Sequence, residues 1–419
     1  MTLSYLTISL APRKYRRMRF VAPGSSVAPV LFALTLTFFV LSGEVPSLAE
    51  TAAQGVLPNE IVVGTHVDLS GPLKPWGTAV RNGLTMAIEE SNKAGSINQR
   101  NVRLVVRDDA YDPAKAAVAA RALAEQDRVF AILSPLGAPT SKAAMNQALS
   151  RGVLYLFPLT ANEEAFLPLE PLKFAVSPTH TMEVQEGLRR MLNGRGRLRT
   201  GLLATADAFG RAVKQGVENE LQRHHLNLVA EVNFAPGETE FETSLEQLRA
   251  QGTQFVVLGA EAEEAIAIMR AAAEIHWRPM FLCSSACYAP EFATLAGPDG
   301  EGLYSVGQSP IPYPEDAKLG AWATRYEARF SSVATVQALT AYRHARLFLA
   351  ALRQAGPQPT QAGFARLLET RGAWTDPALG GLPIEFTPSD HLGSHNSLLA
   401  QIRRGRWVVL TDPLPGIRP

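Results

Sequence analysis

The feature that most constrains the fold of this chain is a repeated alternation of a short apolar run, a loop and an amphipathic helix. In the first copy, Ile61–Gly77, the residues Ile61–Thr65 predict a buried strand, and Ser70–Pro72 predicts a break before a helix that begins near Gly77. The next strands are predicted at Val102–Val106, Val129–Leu133 and Val153–Phe157. This alternation predicts an α/β fold with a parallel sheet and right-handed crossovers.

The same alternation restarts in the second half of the chain, where a strand is predicted at Leu198–Ala204 and a helix from Gly210. Further helices are predicted at Trp322–Phe330, Val336–Arg353 and Gln361–Thr370, followed by short strands around an Arg404–Gly405 turn. Two α/β halves predict two lobes with a cleft between them, at the carboxyl ends of the strands. The loop from Asp68 to Trp76 is then either a wall of this cleft or an ordinary connector.

The residues before the first strand have the pattern of a targeting segment. Five basic residues between Arg13 and Arg19 precede the apolar stretch Val27–Gly43, and Ser47–Ala49 supplies the small residues that a signal peptidase recognises. A retained membrane anchor is the alternative, but the stretch contains Pro29 and is short for a spanning helix of about 20 residues. We expect a signal peptide at residues 1–49, a periplasmic location and, since no cysteine follows the apolar stretch, no lipid anchor.

Charge and motifs exclude several classes of function. The whole chain has 40 basic and 39 acidic residues, and residues 1–49 hold five and one of these, so the remainder has 35 and 38 and a net charge near −3. Nucleic-acid binding requires a basic face, which is missing here. The sequence contains no phosphate-binding loop, dinucleotide fingerprint, nucleophile elbow or zinc motif. We therefore expect no cofactor and no nucleic-acid partner, and not an enzyme.

Two pairs of residues could bind a metal or form a crosslink. His391 and His395 are four residues apart beside Asp390, but the surrounding proline and glycine residues disfavour the helical geometry of a metal pair, so no metal site is expected. Cys283 and Cys287 could form a disulfide or remain two free thiols, since a four-residue separation demands a particular geometry. The sequence leaves this choice open.

Eight segments occur in a recognisable order and spacing: GTHVDLSGPLKPWG, RNGLTMAIEESNKAG, RDDAYDPAKA, SPLGAPTSKAA, LFPLTANEEAF, DAFGRA, FAPGETEFETSLEQL and QIRRGRWV. With them, the chain from about Leu57 to Leu410 resembles the type I periplasmic solute-binding proteins of the Leu/Ile/Val-binding group, which serve ABC importers. The resemblance implies two Rossmann-like lobes that are joined by three crossovers and close on a ligand by hinge motion.

Placed on this chain, the resemblance implies the bounds of both lobes. Lobe 1 would comprise residues 57–175 and 307–392, and lobe 2 would comprise residues 176–306 and 393–419. The crossovers would lie near Val176, Gly307 and Leu392.

The resemblance also nominates residues that would contact the ligand: Trp76, Ala138, Pro139, Thr140, Leu159, Thr160, Ala161, Phe209, Glu261 and Ser285. Trp76 would cover apolar parts of the ligand, or it could pack on its own lobe. The loops at Ala138–Thr140 and Leu159–Ala161 would bind a carboxylate through N–H and hydroxyl groups, although both threonines could be plain helix caps. Glu261 could face the cleft or favour its helix dipole, and Asp207, beside Phe209, is more simply structural.

Departures from the family pattern bear on the ligand. Ala138 stands where amino-acid binders usually have a serine, and Ser285 stands where they have an acid for the ammonium group; Glu261 or Glu163 could substitute for that acid. Tyr111 and Gly137 occupy the places of a cysteine pair. The ligand could therefore be amino acid-like, an organic or aromatic acid, or an amide.

The predicted function is a binding protein that captures a small organic solute by lobe closure and delivers it to an ABC permease complex in the inner membrane. One alternative is a ligand sensor that presents its closed form to a membrane receptor. The other is an α/β hydrolase or transferase that uses the same cleft, but no catalytic dyad is recognisable at the strand ends.

Overall fold

A computed structural model describes residues 53–195 and 197–411, which lie within one compact unit. The predicted signal peptide, residues 1–49, lies outside the described residues. None of the helices described is both long and apolar enough to span a bilayer.

The first sheet contains five parallel strands in the order β2-β1-β3-β4-β5. The strands are β1 (Glu60–Val67), β2 (Asn101–Asp108), β3 (Ala131–Leu133), β4 (Leu154–Leu156) and β5 (Lys173–Phe174). The connecting helices are α1 (Lys74–Lys93), α2 (Pro113–Glu125) and α3 (Ala138–Leu149). Pro75 lies in the first turn of α1, where its missing N–H costs nothing, so this helix begins three residues before the predicted start at Gly77.

The second sheet contains seven strands in the order β12-β11-β10-β9-β8-β6-β7. The strands are β6 (Thr200–Thr205), β7 (Ala230–Phe234), β8 (Phe255–Gly259), β9 (Met280–Cys283), β10 (Tyr304–Gly307), β11 (Leu398–Arg403) and β12 (Arg406–Val409). The helices of this half are α4 (His180–Arg195), α5 (Ala208–Arg223), α6 (Glu242–Ala250), α7 (Ala262–Glu274) and α8 (Pro290–Ala296). β11 runs antiparallel to both of its neighbours, and the other pairs are parallel.

Three helices follow the second sheet's first five strands: α9 (Gly320–Phe330), α10 (Val336–Gln354) and α11 (Gln361–Thr370). They share a hydrophobic core with the first sheet and α1, whereas the strands of the second sheet pack with α4–α8 in separate cores. The chain thus passes from the first sheet to the second after β5, returns after β10, and enters the second sheet again at β11. Ala175 and Leu392 pair as an isolated parallel bridge, which places two of the chain's passages side by side.

The structure contains one helix that the sequence analysis did not predict, and it shows the state of the two cysteines. The helix α4 was not predicted, although Val184, Leu188 and Met191 recur at helical spacing and are buried. Cys283 and Cys287 form a disulfide, with their Cα atoms 6.0 Å apart, which settles the choice that the sequence left open.

Candidate functional site: the cleft between the two sheets

A cleft of about 430 Å³ lies where loops from both sheets meet. Seven of the ten predicted site residues line it: Trp76, Ala138, Leu159, Thr160, Ala161, Glu261 and Ser285. They come from loops and helix starts at the carboxyl ends of strands in both sheets, because parallel strands bring these segments to one edge. Its volume is within the usual range of small-molecule sites, about 300–1,000 Å³.

Asp68 organises the loop that leads into α1, whose first turn carries Trp76. The buried Asp68 carboxylate accepts hydrogen bonds from the backbone N–H groups of Ser70, Gly71 and Leu73 at 3.1, 2.5 and 2.6 Å. The loop is therefore fixed at its base, and α1 starts directly after it. Trp76 remains 44% exposed and lines the cleft with Leu73, so its ring is available to an apolar ligand surface.

Three residues of the wall from the first sheet are notable for their backbone N–H groups. Ala138 begins α3, and Thr160 and Ala161 follow β4. The N–H groups of these three residues donate to no acceptor within the described residues. Unpaired N–H groups at a helix start and in an adjacent loop attract an anion.

Pro139, Thr140 and Phe209 do not line the cleft. The Thr140 side chain is fully buried, and its hydroxyl donates to the Leu136 carbonyl at 2.6 Å, so this hydroxyl is already used. Phe209 packs edge-on against the ring of His180, with the two centroids 4.8 Å apart. Phe209 thus supports a cleft residue from behind instead of contacting the cleft itself.

The wall from the second sheet contains a charged group that the sequence analysis missed, since α4 was not predicted. Glu183 is 2% exposed, and its Oε2 accepts hydrogen bonds from His180 Nδ1 at 3.0 Å, from the Ser285 hydroxyl at 2.8 Å and from the Ser285 backbone N–H at 3.3 Å. All three residues line the cleft. A carboxylate is therefore present beside Ser285, although Ser285 itself carries none.

The ionisable groups on this wall influence one another. Burial lowers the pKa of His180, but the hydrogen bond to Glu183 and the charges of Glu183 and Glu261 outweigh it, and the pKa of His180 is raised above its ordinary value. Loss of water around Glu261 raises the pKa of that carboxyl, His180 opposes the shift, and Glu264 and Asp207 add to it. The wall therefore combines a histidine whose pKa is raised with the carboxyl groups of Glu183 and Glu261.

Asp207 and Glu264 serve their own helices. Asp207 caps α5 by accepting from the Gly210 N–H at 2.9 Å. Glu264 accepts from the Glu261 N–H at 2.9 Å, so Glu261 marks the start of α7 as well as the wall of the cleft. Glu261 thus lies at the helix start and on the cleft wall, the two positions between which the sequence did not decide.

Tyr111 is a further lining residue, and its backbone is in the left-handed region, with φ 58°. The carboxylate of Asp109 accepts from the Tyr111 N–H at 2.9 Å and is bonded at 2.8 Å to the buried His66, whose other ring nitrogen is 3.0 Å from the Tyr155 hydroxyl. This buried chain of hydrogen bonds holds Tyr111 in place. The ring of Tyr111 lies against Gly137, the residue directly before α3.

The histidine pair noted in the sequence is used in structural bonds. His391 is buried, with Nδ1 2.8 Å from the Lys173 carbonyl and Nε2 3.1 Å from Glu369, while His395 bonds to Asp390 at 2.6 Å. Within residues 53–195 and 197–411, no cluster of three potential metal ligands is found. In the cleft, the Ser285 hydroxyl donates to the Glu183 carboxylate and has no hydrogen bond to His180 within the described residues. Ser285 and His180 therefore lack the arrangement of a nucleophile activated by a base.

Comparisons with known proteins agree with this architecture. The chain is 22% identical over 310 residues to the leucine-, isoleucine-, valine-, threonine- and alanine-binding protein of Pseudomonas aeruginosa, which covers 74% of this chain and 82% of the relative. It resembles the structure of a putative branched-chain amino acid ABC transporter from Rhodospirillum rubrum, with a TM-score of 0.72, 21% identity, and coverage of 83% of this chain and 99% of the other. A solute-binding protein of an R. palustris ABC transporter, solved in complex with benzoate, gives a TM-score of 0.67, 18% identity, and coverage of 84% and 96%.

The structural matches confirm the predicted fold class, an α/β fold with two sheets of the type I periplasmic binding proteins. Residues 60–406 match the profile of the family described as periplasmic binding protein. Since this match spans most of the 419 residues, the chain belongs to the periplasmic binding protein family, as a binding protein rather than an enzyme and as a relative of the Leu/Ile/Val-binding proteins of ABC transporters.

Proposed function

We propose that this protein captures a small organic solute bearing a carboxylate, either amino acid-like or an organic or aromatic acid, and delivers it to an ABC importer. One observation carries the proposal. On one wall of the cleft are the N–H groups of Ala138, Thr160 and Ala161, which have no acceptor within the described residues, and on the other are the ionisable residues His180, Glu183 and Glu261. A carboxylate suits the first wall, and a second polar group of the solute suits the other.

The choice between an amino acid and a simple acid depends on the second wall. The sequence suggested that the acid for an ammonium group was missing, because Ser285 stands in its place. Glu183 lies directly behind Ser285 and Glu261 lies on the same wall, so a carboxylate partner for an ammonium group is available. Trp76 and Tyr111 favour an apolar or aromatic body in the same solute.

Delivery depends on closure of two lobes, for which we propose the bounds given above: residues 57–175 and 307–392 against residues 176–306 and 393–419. The distribution of the two sheets and their separate cores supports this division. The closed form would be the one that the permease in the inner membrane recognises, since a ligand stabilises the conformation that it contacts best. We further propose export by the predicted signal peptide, without lipidation, to the periplasm.

The test is a thermal-shift screen of the purified protein with branched and polar amino acids, aliphatic acids, benzoate and benzamide, followed by calorimetry on each solute that shifts the midpoint. A solute that binds only the folded state raises the midpoint. We expect a carboxylate-bearing solute to do so and the matching amide or alcohol to fail. If every acid fails while neutral solutes bind, the assignment of the first wall to a carboxylate is refuted.

The Glu261→Gln variant then separates the two ligand classes. If the solute has an ammonium group, this variant binds it more weakly, because the hydrogen bond loses its charge. For an acid without an amine, the substitution removes a repulsive charge, and affinity stays equal or increases. Glu263→Gln, two residues further along in α7 and outside the cleft lining, is the matched control.

A further inference from the structure

The ring of His180 is held on two sides and leaves one nitrogen free. Its Nδ1 is 3.0 Å from Glu183 Oε2, and the ring makes a T-shaped contact with the ring of Phe209. Its Nε2 has no hydrogen-bond partner within the described residues, although the side chain is only 26% exposed and lines the cleft. Position and orientation of this nitrogen are therefore fixed before a solute arrives.

The partner of Nδ1 determines the chemistry of Nε2. A carboxylate only accepts hydrogen bonds, so the Nδ1 that faces Glu183 carries a proton in both ionisation states of the ring. In the neutral ring, Nε2 is then an acceptor. In the imidazolium, Nε2 is a donor with positive charge. The group that this nitrogen recognises on a solute thus depends on a single proton.

The surroundings favour the imidazolium. Two ionisable groups act directly on the ring, Glu183 from its own helix and Glu261 from the start of α7. Four more act on it only through these neighbours: Asp207, Glu264 and Tyr111 interact with Glu261, and Arg211 interacts with Asp207. Four of these six are carboxylates and one is a cation. The hydrogen bond to Glu183 and the charge of Glu261 raise the pKa of His180 despite its burial.

We propose that His180 donates a hydrogen bond from Nε2 to a carbonyl or carboxylate oxygen of the bound solute, and that solute binding is therefore linked to the proton on this ring. The inference rests on the proposed function, since it assigns a role in the same cleft. It specifies the solute further. The solute would have a carboxylate that binds the N–H groups of the first wall and a second oxygen acceptor that binds His180 on the second wall. Glu183 acts as a positioning residue, because it fixes the ring and keeps Nδ1 protonated.

The experiment is calorimetry of the purified full-length protein with L-leucine, L-threonine, benzoate, hexanoate and benzamide between pH 5.5 and 8.5. Each titration is repeated in two buffers of different ionisation enthalpy, which counts the protons taken up on binding. We expect the affinity for the bound probe to fall by up to about tenfold per pH unit above the pKa of His180, with proton uptake in that range. His180→Gln keeps a neutral donor, so it should abolish the pH dependence and weaken binding at pH 6 by about tenfold.

His224→Gln is the matched control. His224 also bonds to a buried glutamate, with its Nε2 3.2 Å from Glu220 Oε1, and it is 30% exposed, but it lies at the end of α5 outside the cleft lining. This variant should keep the pH profile of the wild type. Glu183→Gln should move the midpoint of that profile to lower pH, an effect that loss of packing alone would not produce.

The outcomes separate the two proposals. Proton uptake that disappears in His180→Gln supports the inference. Binding without pH dependence, or with the same profile in His180→Gln, refutes the inference and leaves the proposed function intact. Affinity that rises with pH in the wild type only, with protons released, refutes it as well, because Nε2 then accepts from a solute N–H. If no probe binds at any pH, the proposed function and the inference both fail.

Discussion

Substitution of Gly137 by alanine tests how the first wall of the cleft is built. Gly137 precedes α3 with φ 102° and ψ 148°, a conformation that is nearly exclusive to glycine. A Cβ at this position would lie 2.5 Å from Tyr111 Cε2 and 2.7 Å from Thr140 Oγ1. The variant therefore suffers both from backbone strain and from overlap with two side chains.

The two costs can be stated separately. Holding a residue other than glycine in this conformation costs about 1–3 kcal/mol. Overpacking against a fixed neighbour costs about 1–3 kcal/mol more. Gly95→Ala is the matched control, since Gly95 has φ 126° and no atom within 4 Å of its added Cβ, so only strain applies. We expect Gly137→Ala to lose about 1–3 kcal/mol more of the free energy of unfolding than Gly95→Ala does.

Guanidinium unfolding, followed by tryptophan fluorescence, measures this difference, and a double-mutant cycle assigns it. Tyr111→Ala removes the closest contact of the added Cβ, so the double variant should recover most of the steric share, with a coupling energy of about 0.5–3 kcal/mol. If Gly137→Ala is no less stable than Gly95→Ala, or if Tyr111→Ala adds its full cost in the Gly137→Ala background, then Tyr111 does not pack on Gly137 as described.

Three further predictions concern the disulfide, the aromatic cover and the pH dependence of stability. Reduction of the Cys283–Cys287 bond should lower the free energy of unfolding by about 2 kcal/mol, the loop-closure value for so short a loop, and a variant with both cysteines changed to serine should be insensitive to reductant in the same unfolding assay. Trp76→Ala should leave the unfolding midpoint nearly unchanged, because the ring is 44% exposed, but should weaken solute binding in calorimetry; a stability loss as large as that of a core substitution would contradict the exposed placement. The raised pKa of His180 stabilises the folded state fully below its ordinary value of 6.5, and this contribution is lost as the pH rises through the folded pKa. The difference in unfolding midpoint between the wild type and His180→Gln should therefore be largest near pH 5 and smallest near pH 8.5, and the opposite trend would show that the pairing with Glu183 does not favour the charged ring.

Elements with a strong local signal were predicted well from the sequence. The helix Gln361–Thr370 was predicted with the observed bounds, and α10 differs by one residue at its end. Pro113 marks the first residue of α2 both in the prediction and in the structure. Caps, prolines and apolar spacing are local properties, so they are readable along the chain.

The helix α4 shows where such reading fails. Its apolar positions are regular, but the segment before it, from Leu159 to Thr179, consists of loops, one short 3-10 turn and a two-residue strand. The strand–helix alternation that marks the other helices is therefore missing before α4. His180 and Glu183 were missed for this reason. Thr140 is an example of the opposite error, a residue that was predicted to contact the ligand but does not line the cleft. Its residue type and position suited a ligand contact, but its hydroxyl donates a hydrogen bond to the Leu136 carbonyl just before α3.

The sequence by itself determined most of the secondary structure, the α/β class with two halves and the family, because apolar periodicity and motif order are properties of neighbouring residues. Only the tertiary structure decided which side chains share the cleft. Glu183 and Ser285 are 102 residues apart and meet through two hydrogen bonds, and Ala175 and Leu392 pair across a still longer separation. Such contacts depend on how the two sheets and their helices pack, which no local pattern encodes. Which ionisable groups face a solute therefore depends on tertiary packing, although each residue that supplies such a group can be read from the sequence.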